Sequence, residues 1–493
     1  MGGWVANTAG HCAFSSHFSI EAEDPHCVIL LGYFLNNLTY EKFVRLVLNN
    51  VDEEATSKIL ECLNEIRDDS SDKGYKLKRR KMEQDCPAPS IVSSPEGYRT
   101  NKVTKNFYNH RMSRHGLPVT VQVKEFAEFV DVNLSSEPVE AKYLHVAVKL
   151  MVQMSAVYKH ESSRLGEIYS VLSSLFQLEQ VEVPQVFKTD LSVKVKNIVC
   201  MNVEVKNEIG SSNKSPNLQQ TVYYLKIRQM DGKNHPMLLL TIAGCEYFQV
   251  FGAVWWSDGI CVDPLTDPLS LLFVPDRAEK DSEKVARVLH AMERTIVRLP
   301  DAKSDRKPYF SYGGQLEYEE RLHDKACVWQ ASLTLNSEVK KVVVKFVKRY
   351  GKVLHERLAE KNMAPHVYAI EDLSGGWTAV IMDKVNGRTL LDISKKEVKE
   401  EVKEKFLRFR TELKTALSEG FVHGDLRPQN IMHEDGKFCI VDFDWAGKNG
   451  EEAYPNCINM EVKEWHPDVK PGGLIKLEHD LHVLDYNAKL LGV

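Results

Sequence analysis

The sequence predicts a multidomain α+β protein, and its length, segment pattern and charge support this. The chain has 493 residues, enough for about three compact units at roughly 150 residues each. Runs rich in β-branched residues alternate with segments of helical periodicity, and charged or Pro/Ser-rich stretches separate them. The net charge of -5 argues against a wholly basic nucleic-acid binder. We therefore expect more than one hydrophobic core.

Cysteine usage and apolar run length predict an intracellular protein, nuclear or cytoplasmic. The ten cysteines lie far apart without a CxxC pair, which favours reduced thiols over disulfides or a zinc site. The apolar runs fall short of the roughly 18 residues that a membrane span needs. The N-terminus has no charged-then-apolar signal peptide. We expect no membrane partner.

Composition shifts divide the chain into five predicted segments. The helical period is clear between Ile59 and Ile66, and the charged and Pro/Ser-rich stretch that follows is typical of a linker. The predicted segments are a helical N-terminal region (1–72), a basic and Pro/Ser-rich linker (73–106), an α/β domain (107–275), a helical linker (276–304) and a C-terminal domain (305–493).

The first linker contains a dense basic run, KLKRRK, at residues 76–81. Such a run is typical of a nuclear import signal or a nucleic-acid contact. A solvated cluster of linker charges explains it equally well. DNA is therefore one expected partner, through this run or through the α/β domain.

The C-terminal segment contains the residue types that phosphoryl transfer requires. The reaction needs a carboxylate for the acceptor hydroxyl, oxygen ligands for Mg²⁺ and a lysine on the nucleotide phosphates. Asp425 lies in HGDLRPQN, where Pro428 disfavours helix for Arg427, so a loop is expected. Asn430 follows, and the apolar FCIV strand ends at Asp442. Loop carboxylate, amide and strand-end carboxylate could converge on one metal-nucleotide site.

The required lysine is found in an earlier strand, KVVVKFVKR, as Lys345. Burying an isolated lysine there would be costly, so it either lies on an open face or meets an anion. The helix-compatible segment that follows offers Glu356 or Glu360 as its partner. Next, WTAVIMDKVNG reads as a strand and a turn that connect two lobes.

In their order and spacing these elements resemble the protein-kinase-like fold. The segments RYGKVLHERLAEKNMAP, IVDFDWAG, EEAYPNCIN and EHDLHVLDY resemble the kinase-like domains of Crinkler-related and similar fungal proteins. The resemblance implies a compact two-lobed domain that binds ATP and Mg²⁺ and transfers phosphate. It also implies a role for each residue. Asp425 would be catalytic, Asn430 and Asp442 would be metal ligands, and Lys345 would contact the phosphates with Glu356 as its ion-pair partner. Asp383 and Val385 would contact the nucleotide, Asp480 would brace the catalytic loop, and His423 would be structural.

The sequence departs from the kinase pattern at three positions. The segment RLHDKACVWQAS stands where a glycine-rich phosphate loop is expected, so phosphate binding would rest on Lys345 and metal. Asp444 stands where the DFG glycine would be. Gly424 replaces the arginine that responds to activation-loop phosphorylation, which indicates that activity is not controlled in that way.

The phosphate acceptor is left open between two classes. The form HGD is favoured by aminoglycoside and choline kinase-like enzymes, which phosphorylate small molecules, whereas LRPQN is closer to protein kinases. The interpretation favoured here is a protein Ser/Thr-type kinase. A small-molecule kinase and an inactive pseudokinase are the alternatives.

The α/β domain contains a second set of residues suited to phosphate chemistry. Strand alternation in NIVCMNVEVKNEIG places Glu204 and Lys206 on the face opposite the valines. Asp190 precedes LSVKVKN, which could turn the chain and return the aspartate beside Glu204. Two acidic groups would hold Mg²⁺ and the lysine would steady a water or the phosphate charge, as phosphodiester hydrolysis requires.

This set resembles the D...ExK signature of PD-(D/E)xK nucleases, which have a restriction-endonuclease-like fold. Gln219 with Tyr223, or Gln220 with Tyr224, resembles the QxxxY helix of the RecB-like branch, and Glu161 or Glu167 would be the acid from the first helix. The resemblance implies Mg²⁺-dependent DNA cleavage, with the kinase-like part regulatory. ExK is short, however, and a solvated strand face explains it as well. A binding or effector module with neither activity is a third hypothesis.

Overall fold

The computed structural model describes residues 82, 86–109, 116–184, 186–208, 214–231, 234–256, 259–302, 307–323, 326–394 and 398–493. They belong to one compact unit that covers residues 78–493. The predicted N-terminal helical region and the basic run 76–81 lie outside the described residues. Within the described part of the chain, no helix is both long and apolar enough to cross a membrane.

The helices of the described residues are numbered in chain order. They are α1 (Pro89–Val92), α2 (Pro95–Thr100), α3 (Val119–Gln122), α4 (Lys124–Leu134), α5 (Ala141–Met154), α6 (Glu161–Leu172), α7 (Pro216–Asp231), α8 (Ala278–Ile296), α9 (Lys352–Glu360), α10 (Leu390–Ser394), α11 (Glu400–Leu417) and α12 (Leu477–Leu491).

The strands are numbered in the same way. They are β1 (Phe107–Tyr108), β2 (Leu178–Glu179), β3 (Glu182–Val183), β4 (Phe187–Lys188), β5 (Leu191–Val195), β6 (Ile198–Lys206), β7 (Met237–Ala243), β8 (Tyr247–Trp256), β9 (Gly259–Pro264), β10 (Leu316–Arg321), β11 (Val328–Leu335), β12 (Glu338–Val347), β13 (Val367–Leu373), β14 (Trp377–Asp383), β15 (Arg388–Thr389), β16 (Phe421–Val422), β17 (Ile431–Glu434), β18 (Lys437–Ile440) and β19 (Gly447–Lys448).

The middle region is built on a seven-stranded sheet in the order β1-β9-β8-β7-β6-β5-β2. The strand predicted within NIVCMNVEVKNEIG becomes β6, which pairs in parallel with β7, and α7 is the crossover between them. Both strands are rich in apolar residues, and every residue in them except Lys206 is buried, because both of their faces are covered. A tight turn at Lys196 and Asn197, with φ of 51° and 61°, joins β5 to β6 as a hairpin.

The face of β6 that carries Glu204 is not open to solvent. Every residue of β6 up to Val205 is buried, and Glu204 is 0% exposed. Helix α7 packs on this strand, and its Gln220 donates to the carbonyl oxygens of Asn202 and Leu240 at 3.3 and 2.6 Å. A solvated strand face therefore does not explain Glu204.

Neither predicted linker is a free connection in its described part. Helix α8, predicted as a linker helix, packs against α4 and α5 and buries Leu289 and Met292 completely. In the first linker, α1 packs on α7, and Val92 is fully buried. This packing has a physical reason, because the apolar stripe of α8 needs a partner surface that its own segment does not contain.

The C-terminal region has two lobes. The first contains an antiparallel five-stranded sheet in the order β10-β11-β12-β14-β13, with α9 between β12 and β13 in the chain. The second contains the β17–β18 hairpin with β15 at its edge, the β16–β19 pair, and helices α11 and α12. Strand β12 is central in its sheet, which explains the run of valines around Lys345.

The hydrophobic cores do not follow the predicted domain boundary. One core joins the seven-stranded sheet to the five-stranded sheet, and a second fills the C-terminal lobe. Where helices of the middle region meet the first lobe, the Gly375 N–H donates to Asp131 Oδ1 of α4 at 2.8 Å, and Trp377 Nε1 donates to Thr120 Oγ1 of α3 at 2.9 Å. The middle region and the first lobe are therefore packed as one body.

Candidate active site and second carboxylate site

The loop that carries Asp425 is held in place by a buried carboxylate. The N–H groups of His423 and Gly424 donate to the two oxygens of Asp480 at 2.6 and 2.9 Å. Gly424 has φ of 80°, and a Cβ there would lie 3.0 Å from Ile475 Cδ1, so glycine suits this turn. The structure thus places Asp480 where the bracing role was predicted.

His423 is fully buried behind the loop. Its Nδ1 accepts from the Asp425 N–H at 3.3 Å, and burial lowers the pKa of His423 to about 4. A neutral, buried imidazole that holds the backbone agrees with the structural role predicted for it.

The β17–β18 hairpin brings Asn430 and Asp442 together. Ile431 pairs with Ile440 at the open end of the hairpin, and just beyond it the Val441 N–H donates to the Asn430 carbonyl at 2.9 Å. The side chain of Asn430 donates to the Asp425 carbonyl at 3.0 Å. The loop of Asp425, the amide of Asn430 and the carboxylate of Asp442 thus meet at one end of the hairpin.

Lys345 reaches across from the first lobe to this point. Its Nζ lies 2.6 Å from Asp442 Oδ1 and 2.6 Å from Asp444 Oδ1. The lysine side chain is 10% exposed, whereas the two carboxylates are 41% and 33% exposed. The site is therefore an open pair of carboxylates with a buried ammonium between them.

The ion-pair partner predicted for Lys345 is corrected. Glu356 and Glu360 are exposed on α9, whose inward positions are Leu354, His355 and Leu358. Helix α9 is seated by Gly351, where a Cβ would lie 2.4 Å from Ala446 Cβ, and by the His355 ring stacked on Phe443 at 4.3 Å. This packing turns both glutamates outward.

The ammonium and the two carboxylates set each other's protonation. Burial alone would raise the pKa of Asp442, but Lys345 outweighs it and holds that pKa below its usual value. Burial and the neighbouring Asp442 raise the pKa of Asp444 to about 6. At neutral pH both carboxylates are charged, which suits a cation in this place.

Asp383 and Val385, the predicted nucleotide contacts, lie at the end of β14. Asp383 pairs with Val342 in the sheet, and its carboxylate accepts from the Tyr368 hydroxyl at 2.6 Å. Both residues are half-buried on the connection between the lobes. Their contact with a nucleotide stays a prediction.

Arg427 was not singled out from the sequence, although it stands two residues after Asp425. Its Nε and Nη2 donate to the two carboxylate oxygens of Asp425 at 2.5 and 2.8 Å. The proline that follows is the local signal, since it forces Arg427 into an extended conformation that folds the side chain back on the loop.

The middle region brings Asp190, Glu204 and Lys206 together as predicted from the motif. Leu191 pairs with Val203 in the hairpin, and Asp190 Oδ2 accepts from the Val205 N–H at 2.8 Å. Lys206 Nζ lies 2.6 Å from Glu204 Oε1 and 3.4 Å from Glu161 Oε1. Of the two first-helix candidates, Glu161 is the one that contacts the set.

The structure also separates the two QxxxY alternatives. Gln219 donates to the Tyr223 hydroxyl at 3.2 Å, and that hydroxyl donates to the Lys188 carbonyl at 2.8 Å. Burial and the neighbouring charges of Glu204 and Asp190 raise the pKa of Tyr223. Gln220 instead bonds sheet carbonyls, so Gln219 with Tyr223 is the pair beside the carboxylates.

Burial dominates the electrostatics of this second site. Burial and the neighbouring Asp190 raise the pKa of Glu204 to about 8, and burial also raises the pKa of Asp190. Glu204 Oε2 has no hydrogen-bond donor among the described residues. The site therefore places carboxylates where a charge is costly unless a cation is present.

Both donor sets consist of oxygen atoms, as Mg²⁺ prefers. Asn430 and Asp442 would hold it in the C-terminal region, and Asp190 and Glu204 in the middle region. No group of three or more His, Cys, Asp and Glu side chains in the described ranges is arranged to hold a metal ion. The oxygen chemistry of either set suits Mg²⁺, which keeps several waters and takes few protein ligands.

Comparison with known proteins concerns the C-terminal region. Residues 319–464 match the family model described as the RIO domain. The RIO-type serine/threonine-protein kinase Rio2 of Methanocaldococcus jannaschii is 35% identical over 112 residues, covering 22% of this chain and 36% of the archaeal protein. The kinase PK-1 of the Cydia pomonella granulovirus is 17% identical with a TM-score of 0.32, covering 36% of this chain and 68% of that one.

These similarities are partial. The chain spans about a third of the length of its archaeal relative, and the likeness to the viral kinase is too small to establish a shared fold. The predicted resemblances to Crinkler-related proteins and to PD-(D/E)xK nucleases stay predictions. The C-terminal region is similar to the RIO domain, and therefore to atypical protein kinases of the RIO type.

Proposed function

We propose that the chain is an ATP- and Mg²⁺-dependent phosphotransferase that acts on a protein hydroxyl. The observation that carries this proposal is the cluster around Lys345, whose ammonium bonds Asp442 and Asp444 next to the braced loop of Asp425. The similarity of residues 319–464 to the RIO domain supports it.

Each residue of the cluster has a role that its position supports. Asp425 is held by Asp480 through the backbone and would receive the proton of the acceptor hydroxyl. Lys345 would exchange its carboxylate partners for nucleotide phosphate. Asn430 and Asp442 would hold Mg²⁺, which when bound neutralises charge on the transferred phosphate. Asp383 and Val385 would contact the nucleotide at the connection between the lobes.

A protein acceptor is favoured over a small molecule for two reasons. The loop sequence LRPQN is closer to protein kinases, and the archaeal relative is described as a serine/threonine-protein kinase. A small-molecule kinase of the aminoglycoside or choline type remains the alternative that the acceptor experiment separates.

The test is phosphate transfer by the full chain from labelled ATP with Mg²⁺. Casein, an aminoglycoside and choline are offered as acceptors, and Asp425→Asn is compared with wild type. We expect labelled casein and a loss on the order of 10²- to 10⁴-fold in the variant. Asp485→Asn is the matched control, because Asp485 is 50% exposed on α12 and bonds Arg410 and Lys414. Equal activity of Asp425→Asn and wild type would overturn the proposal.

A second candidate function is Mg²⁺-dependent cleavage of DNA by the middle region. Glu204 is fully buried beside Asp190 and Lys206, and its Oε2 lacks a donor among the described residues. A buried pair of carboxylates with a single lysine is a costly arrangement for structure alone. In this reading Lys206 would orient the attacked phosphate, and Glu204 and Asp190 would hold the cation.

Cleavage of supercoiled plasmid by the full chain with Mg²⁺ tests the second candidate. We expect nicking that is lost in Glu204→Gln and Lys206→Met but retained in Asp425→Asn. Lys196→Met is the control, since Lys196 is 61% exposed and pairs with Asp301 on the surface. If nicking persists in Lys206→Met, a contaminating nuclease explains it and the candidate fails. Failure to bind either ATP or DNA would leave a binding or effector module.

A further inference from the structure

The loop between β19 and α12 presses an aromatic side chain against the catalytic loop. Trp465 lies in this loop, is 9% exposed and donates from Nε1 to the Asn459 carbonyl at 2.9 Å. Its ring centroid lies 6.1 Å from those of Trp445 and Tyr454. One hydrogen bond and two aromatic neighbours thus fix the orientation of the ring.

The partner of this ring is the guanidinium of Arg427. The guanidinium carbon lies 4.9 Å from the Trp465 ring centroid, within the range of a cation–π contact. The edges of the guanidinium bond the two oxygens of Asp425 at 2.5 and 2.8 Å. When the side-chain amide of Gln429 is oriented with its oxygen toward Arg427, that oxygen accepts from Nε and Nη1 of Arg427 at 3.2 Å.

This arrangement determines how Asp425 is presented. A guanidinium is planar, so its two parallel N–H bonds to a carboxylate also fix the plane of that carboxylate. Each carboxylate oxygen keeps a second lone pair, which is free to accept from an acceptor hydroxyl. A guanidinium free to rotate about its stem would let the carboxylate rotate with it.

We propose that Trp465 is a positioning residue for phosphotransfer, acting through Arg427 to hold Asp425 in the orientation that receives the acceptor proton. The inference rests on the proposed function of Asp425. The residue that sets the geometry of the catalytic loop is therefore supplied from about forty residues downstream, across the lobe.

A double-mutant cycle in the full chain tests the proposal. The variants are Trp465→Leu, Trp465→Phe and Arg427→Lys, with each Trp465 variant also combined with Arg427→Lys. Lysine keeps the charge but cannot form the two-pronged bond. The readouts are kcat and KM for casein phosphorylation, Mg-ATP binding by calorimetry, and the thermal unfolding midpoint.

We expect Trp465→Leu to lower kcat about tenfold, the order of one partly buried cation–π contact, and to leave KM for ATP within about twofold. Trp465→Phe keeps a ring and is expected to retain most of kcat. Combined with Arg427→Lys, Trp465→Leu should cost little beyond Arg427→Lys alone, because the two changes remove the same interaction.

Trp377→Leu is the matched control. Lys348 Nζ lies 4.0 Å from the centroid of its ring, but Trp377 belongs to the first lobe and its Nε1 bonds Thr120 of the middle region. When Trp377→Leu is combined with Arg427→Lys, the fold-losses of kcat from the two changes should multiply, as they do for independent sites. If Trp465 had a purely structural role, the fold-losses of kcat from Trp465→Leu and Arg427→Lys would multiply in the same way.

Several outcomes would overturn the proposal. Multiplied effects of Trp465→Leu and Arg427→Lys, or a change in KM for ATP with kcat unchanged, would show that Trp465 does not act through Arg427. If Trp465→Leu does not fold, the cycle is run with Trp465→Met, which keeps a large apolar side chain but removes the aromatic face, and it decides in the same way. An inactive wild type would refute the proposed function itself, and the inference with it, whereas an active wild type with multiplied effects would refute the inference alone.

Discussion

Two lysine–carboxylate sites in this molecule use the same groups in different surroundings. In the middle region Lys206 Nζ lies 2.6 Å from Glu204 Oε1, and in the C-terminal region Lys345 Nζ lies 2.6 Å from Asp442 Oδ1. The lysines are equally covered, at 12% and 10% exposed. The carboxylates differ, because Glu204 is 1% exposed in its side chain and Asp442 is 41% exposed.

The difference shows that the balance between burial and the neighbouring charges decides the charge of each carboxylate. Burial raises the pKa of Glu204 to about 8 in spite of the lysine, whereas Lys345 holds the pKa of Asp442 below its usual value. An open site therefore keeps its anion ready for a cation at neutral pH. A buried site keeps its proton until a cation replaces it.

The largest expected effect separates the two sites by activity. Asp442→Asn should lower phosphotransfer on the order of 10²-fold or more, because it removes the charged ligand that would hold Mg²⁺ beside the phosphates. Glu204→Gln should leave phosphotransfer within about twofold. Initial rates of casein phosphorylation at several Mg²⁺ concentrations check this. Comparable losses in both variants would mean that the two sites act together.

The second prediction concerns stability and pH. Because the folded-state pKa of Glu204 is raised from 4.5 to about 8, the wild type loses stability as pH rises through that range. Glu204→Gln carries no such charge, so relative to wild type it should gain stability progressively between about pH 5 and about pH 8, by up to roughly 5 kcal/mol.

Urea unfolding of both proteins across this range measures the difference. Glu182→Gln serves as control, since Glu182 is 53% exposed and pairs with Lys188 on the surface. A Glu204→Gln variant that is less stable by the same amount at every pH would show that Glu204 is charged throughout.

The third prediction concerns proton release on cation binding. A cation that enters the middle site must displace the proton of Glu204, so about one proton should be released near pH 7. Calorimetric titration with Mn²⁺ in two buffers of different ionisation enthalpy measures this number. Glu204→Gln should abolish the release, whereas Asp442→Asn should leave it unchanged. The opposite pattern would assign the proton to the C-terminal site.

The smallest expected effect comes from Glu161, at the edge of the middle site. Its carboxylate is 44% exposed and lies 3.4 Å from Lys206 Nζ. Glu161→Gln should change the free energy of unfolding by less than about 1 kcal/mol, because solvent screens this pair. A severalfold loss of Mn²⁺ affinity in the same variant would include Glu161 in the cation site. A stability loss well above this limit would show that the pair is structural.

Much of the candidate site was predictable from local sequence. A β-branched run around Lys345 predicted its strand, and the loop and strand signals around Asp425 and Asp442 predicted their order. Alternation along β6 placed Glu204 and Lys206 on one face. In each case the information lies within a few residues, because strand faces and turns are local properties.

Partner choice was not predictable in the same way. Glu356 is near Lys345 in sequence and Asp444 is far from it, yet the packing of His355 on Phe443 turns α9 so that Glu356 faces outward and Asp444 is a partner. The packing of α8, in the predicted linker 276–304, was not predictable for a related reason. An amphipathic helix does not reveal from its own sequence which surface will cover it.

The sequence by itself determined which chemical groups the protein has and in what order, because strands, loops and their functional side chains follow from local patterns. The tertiary structure alone decided that Trp465 lies against Arg427, that one core joins both sheets, and that Glu204 is buried while Asp442 is open. These properties depend on contacts between distant segments, and solvent exposure is a property of the whole fold.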